Sequence, residues 1–215
     1  MPQFQRGDIW SVYEQADLFL ITTNATLKGN GALVMGRGLA RQARDRFSGL
    51  DMAWGQAIAG RCGHLGRYHL LVSPHWPRAK LGAFQVKQDY RHQADPRLIR
   101  KSVAALSGWC AAHPGAQVAL NFPGIGNGRL SRSAVLPIIA QLPDQVTIWE
   151  YPPDVAPAAA PPAVFGQEAR AGFHPPGLHH QRASGPNTQG GDYQRIVIVP
   201  PALFIALLDS SIGEI

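Results

Sequence analysis

Phe122-Pro123-Gly124-Ile125-Gly126-Asn127-Gly128-Arg129-Leu130 lies between an apolar run and a helix start. Ahead of it, Gln117-Val118-Ala119-Leu120-Asn121 reads as a buried strand. Behind it, Ser131 stands where it can cap an amphipathic helix carrying Val135, Leu136, Ile138, Ile139 and Leu142. Strand, glycine loop and helix in that order make a phosphate-binding architecture. Glycines at alternate positions let the backbone approach an anion and turn its N–H groups inward, and the helix that follows points its positive end the same way. The spacing Gly124, Gly126, Gly128 matches neither the dinucleotide fingerprint nor the P-loop, which ends in Gly-Lys-Ser or Gly-Lys-Thr. A plain tight turn would use the same glycines. A second glycine loop earlier in the chain, also between a strand and a helix, tips the balance toward a ligand.

That earlier loop follows Leu18-Phe19-Leu20-Ile21-Thr22-Thr23, an unbroken apolar run of the kind covered on both faces, which ends at Asn24. Leu27 to Ala40 then holds Gly29, Gly31, Gly36 and Gly38 and enters a helix with Leu39, Ala40, Ala43 and Phe47 on one face. Further along, Met52 to Ala59 reads as helix, and Tyr68-His69-Leu70-Leu71-Val72 and Ala83-Phe84-Gln85-Val86 read as strands. A long helix from about Asp95 carries Leu98, Ile99, Val103, Leu106, Trp109 and Cys110, and Val146 to Tyr151 reads as a last strand. Strands alternating with helices call for a largely parallel or mixed sheet between helical layers, with ligands at the carboxyl ends of the strands.

The chain of 215 residues is long enough for one well-cored domain plus additional material. Apolar residues make up 45%, and charged residues only 16%, below the roughly 25% of typical soluble domains. A net charge of +6 favours anionic partners, although the basic residues are scattered rather than gathered into a nucleic-acid patch. Cys62 and Cys110 have no partner spacing for zinc or a redox pair and read as reduced thiols of a cytosolic protein. Residues 1–6 lack the apolar core of a signal peptide, and no segment reaches membrane-spanning length. Residues 152–194, rich in Pro, Ala, Gly and His, read as a disordered linker, and 195–215 as an apolar terminal segment of no assigned role, split by Pro200-Pro201.

Two glycine loops after strands, the early Gly7-Asp8-Ile9 and the strand-closing Asn24 together resemble the macrodomain, the ADP-ribose-binding fold, over roughly residues 4–151. Met35 to Ala40 is similar to the loop of the subgroup that contains the terminal ADP-ribose protein glycohydrolases, the antitoxins that remove ADP-ribose from DNA, and related phage-type proteins. The Asn-Ala-Ala-Asn and triple-glycine signature of the more widespread hydrolases is missing. The resemblance implies a three-layer α/β/α domain over residues 1–151 with a mixed, largely parallel central sheet. It further implies a cytoplasmic monomer that uses neither metal nor cofactor and takes ADP-ribose or an ADP-ribosylated macromolecule.

Carried across position by position, the resemblance has Asp8 accept the adenine amino group with Ile9 beside it, although Asp8 in this sequence could equally cap a turn. Gly36, Arg37, Gly38, Leu39 and Ala40 would pass near the distal ribose and diphosphate, and Asn24 joins the ligand set. Pro123, Gly124, Ile125, Gly126, Asn127, Gly128 and Arg129 would cradle the diphosphate. Trp149 would stack on adenine, or else is a core edge residue. Lys87 follows Phe84-Gln85-Val86 where the subgroup's catalytic lysine sits, which implies attack on the anomeric carbon and release of ADP-ribose from its acceptor. Such a lysine must be partly uncharged, so burial or nearby positive charge should lower its pKa; the plain alternative is a solvated surface lysine.

Protein-directed members carry an Asp in the second loop where Gly128 stands here, whereas the DNA-directed antitoxins work with the lysine and a glycine-rich loop. ADP-ribosylated nucleic acid is therefore an open substrate, in keeping with the net charge. Three function classes remain: a hydrolase of ADP-ribosyl linkages or of a small derivative such as the 1″-phosphate, a reader that binds without turnover, and a basic nucleic-acid-binding protein. His174, His179 and His180 offer no fixed metal geometry, and Ser73, His75 and Asp89 lack a nucleophile elbow.

Overall fold

Leu18 to Thr23 has every second side chain on the same side, and both sides are apolar, so this strand is stable only when covered above and below. A computed structural model, which describes residues 1–62, 66–73 and 80–151, places it near the centre of a six-stranded sheet. The strands are β1 (Gln3–Arg6), β2 (Leu18–Thr23), β3 (Leu70–Ser73), β4 (Lys80–Gln85), β5 (Val118–Asn121) and β6 (Val146–Glu150), in the order β1-β6-β5-β2-β4-β3. All neighbours are parallel except β3, which runs antiparallel to β4 at one edge.

Four helices cover the sheet: α1 (Gly38–Arg46), α2 (Leu50–Cys62), α3 (Pro96–Ala112) and α4 (Arg132–Ile139). On one face Leu18, Leu20, Phe84, Leu120 and Ile148 pack with Ile99, Val103 and Leu106 of α3 and Val135 and Ile139 of α4. On the other, Phe19, Ile21, Leu71, Leu81 and Ala83 pack with Ala43 of α1 and Leu50, Trp54 and Ile58 of α2. Each such fully buried side chain contributes roughly 1.5–3 kcal/mol of transfer free energy, so the strongest cohesion lies where both faces are filled. The expected three-layer α/β/α arrangement with a mixed, largely parallel sheet is what the chain adopts.

Helix starts follow their sequence signals. Asp95 caps α3, its carboxylate accepting from Arg97 N at 2.8 Å, with Pro96 in the first turn. Ser131 Oγ caps α4 by accepting from Ala134 N at 3.2 Å.

Several boundaries differ from expectation: β3 runs Leu70–Ser73 rather than from Tyr68, α2 runs Leu50–Cys62 rather than Met52 to Ala59, and three further differences have a physical reason. β1 was not anticipated: its four residues are exposed and polar, and it becomes a strand only by pairing with β6. β4 begins at Lys80 rather than Ala83, because its early residues pair along β2. α4 stops at Ile139, leaving Leu142 buried beyond it.

Residues 152–215, including the expected linker and terminal segment, lie outside the described residues, as does His75. Among the described residues no helix is long and apolar enough to cross a membrane. There too, no group of three or more His, Cys, Asp or Glu side chains could hold a metal. Cys62 and Cys110 are both free thiols.

Candidate functional site

Parallel β2, β4, β5 and β6 end at the same edge of the sheet, and the segments that leave them enclose a cleft of about 1020 Å³. The two glycine loops meet across it. Gly38 has φ +56, and a methyl group there would lie 3.3 Å from Asn127 Nδ2, so the first loop reaches the second at a point where a side chain would strain both.

The second loop is tightly wound. Gly124 has φ +75, and a Cβ on it would stand 2.8 Å from Ile99 Cδ1, which lets the loop lie flat on α3. Residues 126–128 form a 3-10 turn closed by Gly128 N to Ile125 O at 3.0 Å and Arg129 N to Gly126 O at 2.9 Å. The backbone N–H groups of Ile125, Gly126 and Asn127 meet no protein acceptor among the described residues. All three residues line the cleft, where free backbone N–H groups suit an anion.

One expectation needs correcting here. The positive end of the helix after this loop does not join the cradle: Ser131 Oγ takes one of its first-turn N–H groups, and neither Leu130, Ser131 nor the first turn of α4 lines the cleft. The helix that does present its N-terminus is α1, whose cap residue Arg37 makes no side-chain capping bond, while Gly38, Leu39 and Ala40 line the cleft.

Of the residues singled out from sequence, Ile9, Asn24, Gly36, Arg37, Gly38, Leu39, Ala40, Lys87, Gly124, Ile125, Gly126, Asn127, Gly128, Arg129 and Trp149 all line this one cleft. Asp8 and Pro123 do not. Asp8 Oδ1 accepts from Trp10 N at 3.0 Å and caps the 3-10 turn Ile9–Val12, the turn-capping alternative named for it. Pro123 is buried beneath its loop. Asn24 is committed to the backbone at both ends, donating to Val34 O and accepting from Thr26 N, each at 2.8 Å, which ties the root of the first loop to the stretch before Gly36. Trp149 presents an indole N–H that is buried and unpartnered among the described residues.

Lys87 lies two residues beyond β4, half-buried, with its amine between the second glycine loop and residues 90–92. It donates to His92 O at 2.9 Å, Asn127 O at 3.0 Å and Tyr90 O at 3.4 Å. Burial, then the guanidiniums of Arg129 and Arg37, push its pKa down, while the Asp89 carboxylate opposes them. The three carbonyls also favour the charged form, since a neutral amine has one donor fewer.

Lys87 is aimed by a residue behind it. Buried Gln85 accepts from Tyr68 N and His69 N at 2.9 Å each, and donates to Gly66 O at 2.6 Å and Lys87 O at 3.3 Å. Ser102 Oγ donates to Gln85 O at 2.7 Å. Every polar atom of that side chain is satisfied, so the end of β4 is fixed from within the core.

The wall is cationic. Lys87, Arg37, Arg91 and Arg129 line the cleft, and among the described residues no Asp or Glu does. Arg91 pairs with Asp89 outside the wall at 2.7 Å and holds that carboxyl well below the usual carboxylate range.

Sequence reasoning missed Gly7, Thr22, Thr23, Val34, Gln42, Val86, Tyr90, Arg91, Asn121, Phe122 and Tyr151. Asn121 carried a usable signal, a polar residue ending an apolar run. Its amide accepts from Thr22 N at 2.8 Å and donates to Thr22 Oγ1 at 2.7 Å, joining the ends of β5 and β2. Tyr90 and Arg91 sit in a loop without periodicity.

No protein-family model matches the chain, and no curated protein matches it by sequence. Among solved structures it is similar to the macrodomain of Mycobacterium tuberculosis DarG, with 24% identity over 71% of this chain and 98% of that one and a TM-score of 0.55. It is also similar to the macrodomain of Thermus aquaticus DarG, with 22% identity over 71% of this chain and 99% of that one and a TM-score of 0.53. A third similar structure, Thermosipho africanus DarTG in complex with ADP-ribose, shares 16% identity over 73% of this chain and 43% of that one, with a TM-score of 0.58.

Proposed function

The chain has the macrodomain fold, and from that premise we propose that its cleft binds ADP-ribose and that the protein releases ADP-ribose from a modified macromolecule or a small derivative, with Lys87 as nucleophile. One observation carries the reading: two glycine loops meet on a cleft with no carboxylate among its described residues, and a lysine amine donates to the second of them. Backbone N–H groups and arginines suit a diphosphate, whose charge is then balanced without a metal. The complex of the Thermosipho africanus protein with ADP-ribose supports the same ligand.

In this mechanism the Lys87 ammonium leaves its carbonyls and loses a proton to solvent. Its lone pair attacks the anomeric carbon of the distal ribose, forming a C–N bond as the bond to the acceptor breaks. The acceptor departs with that electron pair and takes up a proton from solvent. Water then attacks the same carbon, the C–N bond breaks with its electron pair returning to the amine, and the proton that the water gives up restores the Lys87 ammonium as ADP-ribose is freed.

A second reading is favoured by a specific feature. An ammonium already satisfied by three carbonyls, on a wall with no carboxylate among the described residues, suits a reader that holds ADP-ribose without turnover. Calorimetry with ADP-ribose and AMP, followed by incubation with ADP-ribosylated DNA and protein, separates the two. The hydrolase reading expects tighter binding of ADP-ribose than AMP and release of ADP-ribose that Lys87→Ala abolishes. Binding without release leaves the reader, and no preference for ADP-ribose sinks both.

A further inference from the structure

The indole N–H of Trp10 can only donate, and it lies 2.6 Å from Gln42 Oε1. That bond decides which way round the Gln42 amide sits. Its oxygen is committed to the ring, and its Nε2 meets no acceptor among the described residues. Trp10 itself is held fast, stacked on Phe19 at a centroid distance of 4.8 Å and roofed by the Arg46 guanidinium at 4.3 Å. Gln42 lines the cleft, so the cleft there presents a donor of fixed orientation.

Its place along α1 narrows what it can meet. Gln42 is one turn, about 6 Å, beyond Gly38, the residue that touches Asn127 beside Lys87. It is therefore set back from the lysine and the loop amides and lies toward the Ile9–Trp10 turn.

We propose that Gln42 is a specificity-determining residue of the cleft, donating through Nε2 to an uncharged acceptor, a ring nitrogen or hydroxyl oxygen, on the nucleoside half of the ligand. Trp10 is its positioning residue. The inference rests on the reading that the cleft binds ADP-ribose.

Calorimetry of the full chain with ADP-ribose, and with AMP by competition, tests it in the wild type, Gln42→Ala, Gln42→Glu and Trp10→Phe. Loss of one hydrogen bond predicts that Gln42→Ala weakens both ligands by the same factor, about 3- to 10-fold. Gln42→Glu keeps the bond to Trp10 and the side-chain shape but replaces a donor with an acceptor, so it weakens both further and retains the wild-type melting temperature. Trp10→Phe frees the amide to turn, giving a smaller loss than Gln42→Ala and none in addition to it in the double variant. Wild-type affinity in Gln42→Glu overturns the proposal, as does a loss seen with ADP-ribose but not with AMP. A wild type that binds neither ligand instead overturns the reading of the cleft itself.

Discussion

The chain leads into two helices by way of glycine loops, and it finishes those loops differently. At α4 the cap is Ser131, whose hydroxyl satisfies a first-turn N–H; at α1 the cap is Arg37, whose side chain makes no such bond. Both helices pack on the sheet, yet only the one without a side-chain cap opens onto the cleft. A side-chain cap takes one of the four first-turn N–H groups for its own chain, while a terminus without one keeps that donor for something else. Both loops line the cleft, so the difference between them is whether the helix that follows reaches it as well.

The largest test of that contrast asks whether the junction of the loops performs chemistry. Lys87→Ala should cut release of ADP-ribose at least about 1000-fold, while leaving ADP-ribose affinity within about 3-fold. Equal losses of both would return Lys87 to a structural tie between the loops.

A pH series comes next. Because burial and neighbouring guanidiniums depress the Lys87 pKa below its ordinary value, the reactive neutral amine grows as pH rises. Turnover should climb up to about tenfold per pH unit until the depressed pKa is reached and then level off. A flat profile of the chemical step, measured in single turnover, argues against the lysine.

Exchanging the caps sharpens the comparison directly. Arg37→Asp gives α1 a capping carboxylate and removes a cation from the wall, so ADP-ribose affinity should drop about tenfold or more while thermal stability rises by about 1 kcal/mol. Unchanged affinity would mean that the α1 terminus holds no part of the ligand. The smallest effect belongs to the other helix: Ser131→Ala should cost about 1 kcal/mol in denaturant unfolding and leave affinity untouched.

How much of this is legible in the sequence follows physical lines. β2, β5 and the inner face of α3 can be read because burial on both sides of a sheet, or on one stripe of a helix, leaves a periodic trace in the residues themselves. β1 leaves none, since Gln3 to Arg6 are exposed and take their conformation from β6. Both glycine loops and Lys87 are legible as a set, through glycine spacing and family resemblance, and they do share a cleft. Tyr90, Arg91 and Gln42 are not, because what brings them to the wall is the path of a loop or the rotation of a helix, and neither is written in local composition. The expected contribution of α4 to the anion cradle fails for a related reason: where the chain turns after Arg129 decides that Leu130, Ser131 and the first turn of α4 stay off the wall, and that path is not written in local composition either.

The amide of Gln85 lies in the core, out of any ligand's reach, yet three backbone positions and the root of Lys87 depend on it. Two proteins with identical pocket walls could thus differ in reactivity because one of them has drifted at a position no inhibitor, substrate or docking calculation would ever sample. For this fold, comparing the chemistry of relatives means aligning what stands behind the wall as well as what faces out of it.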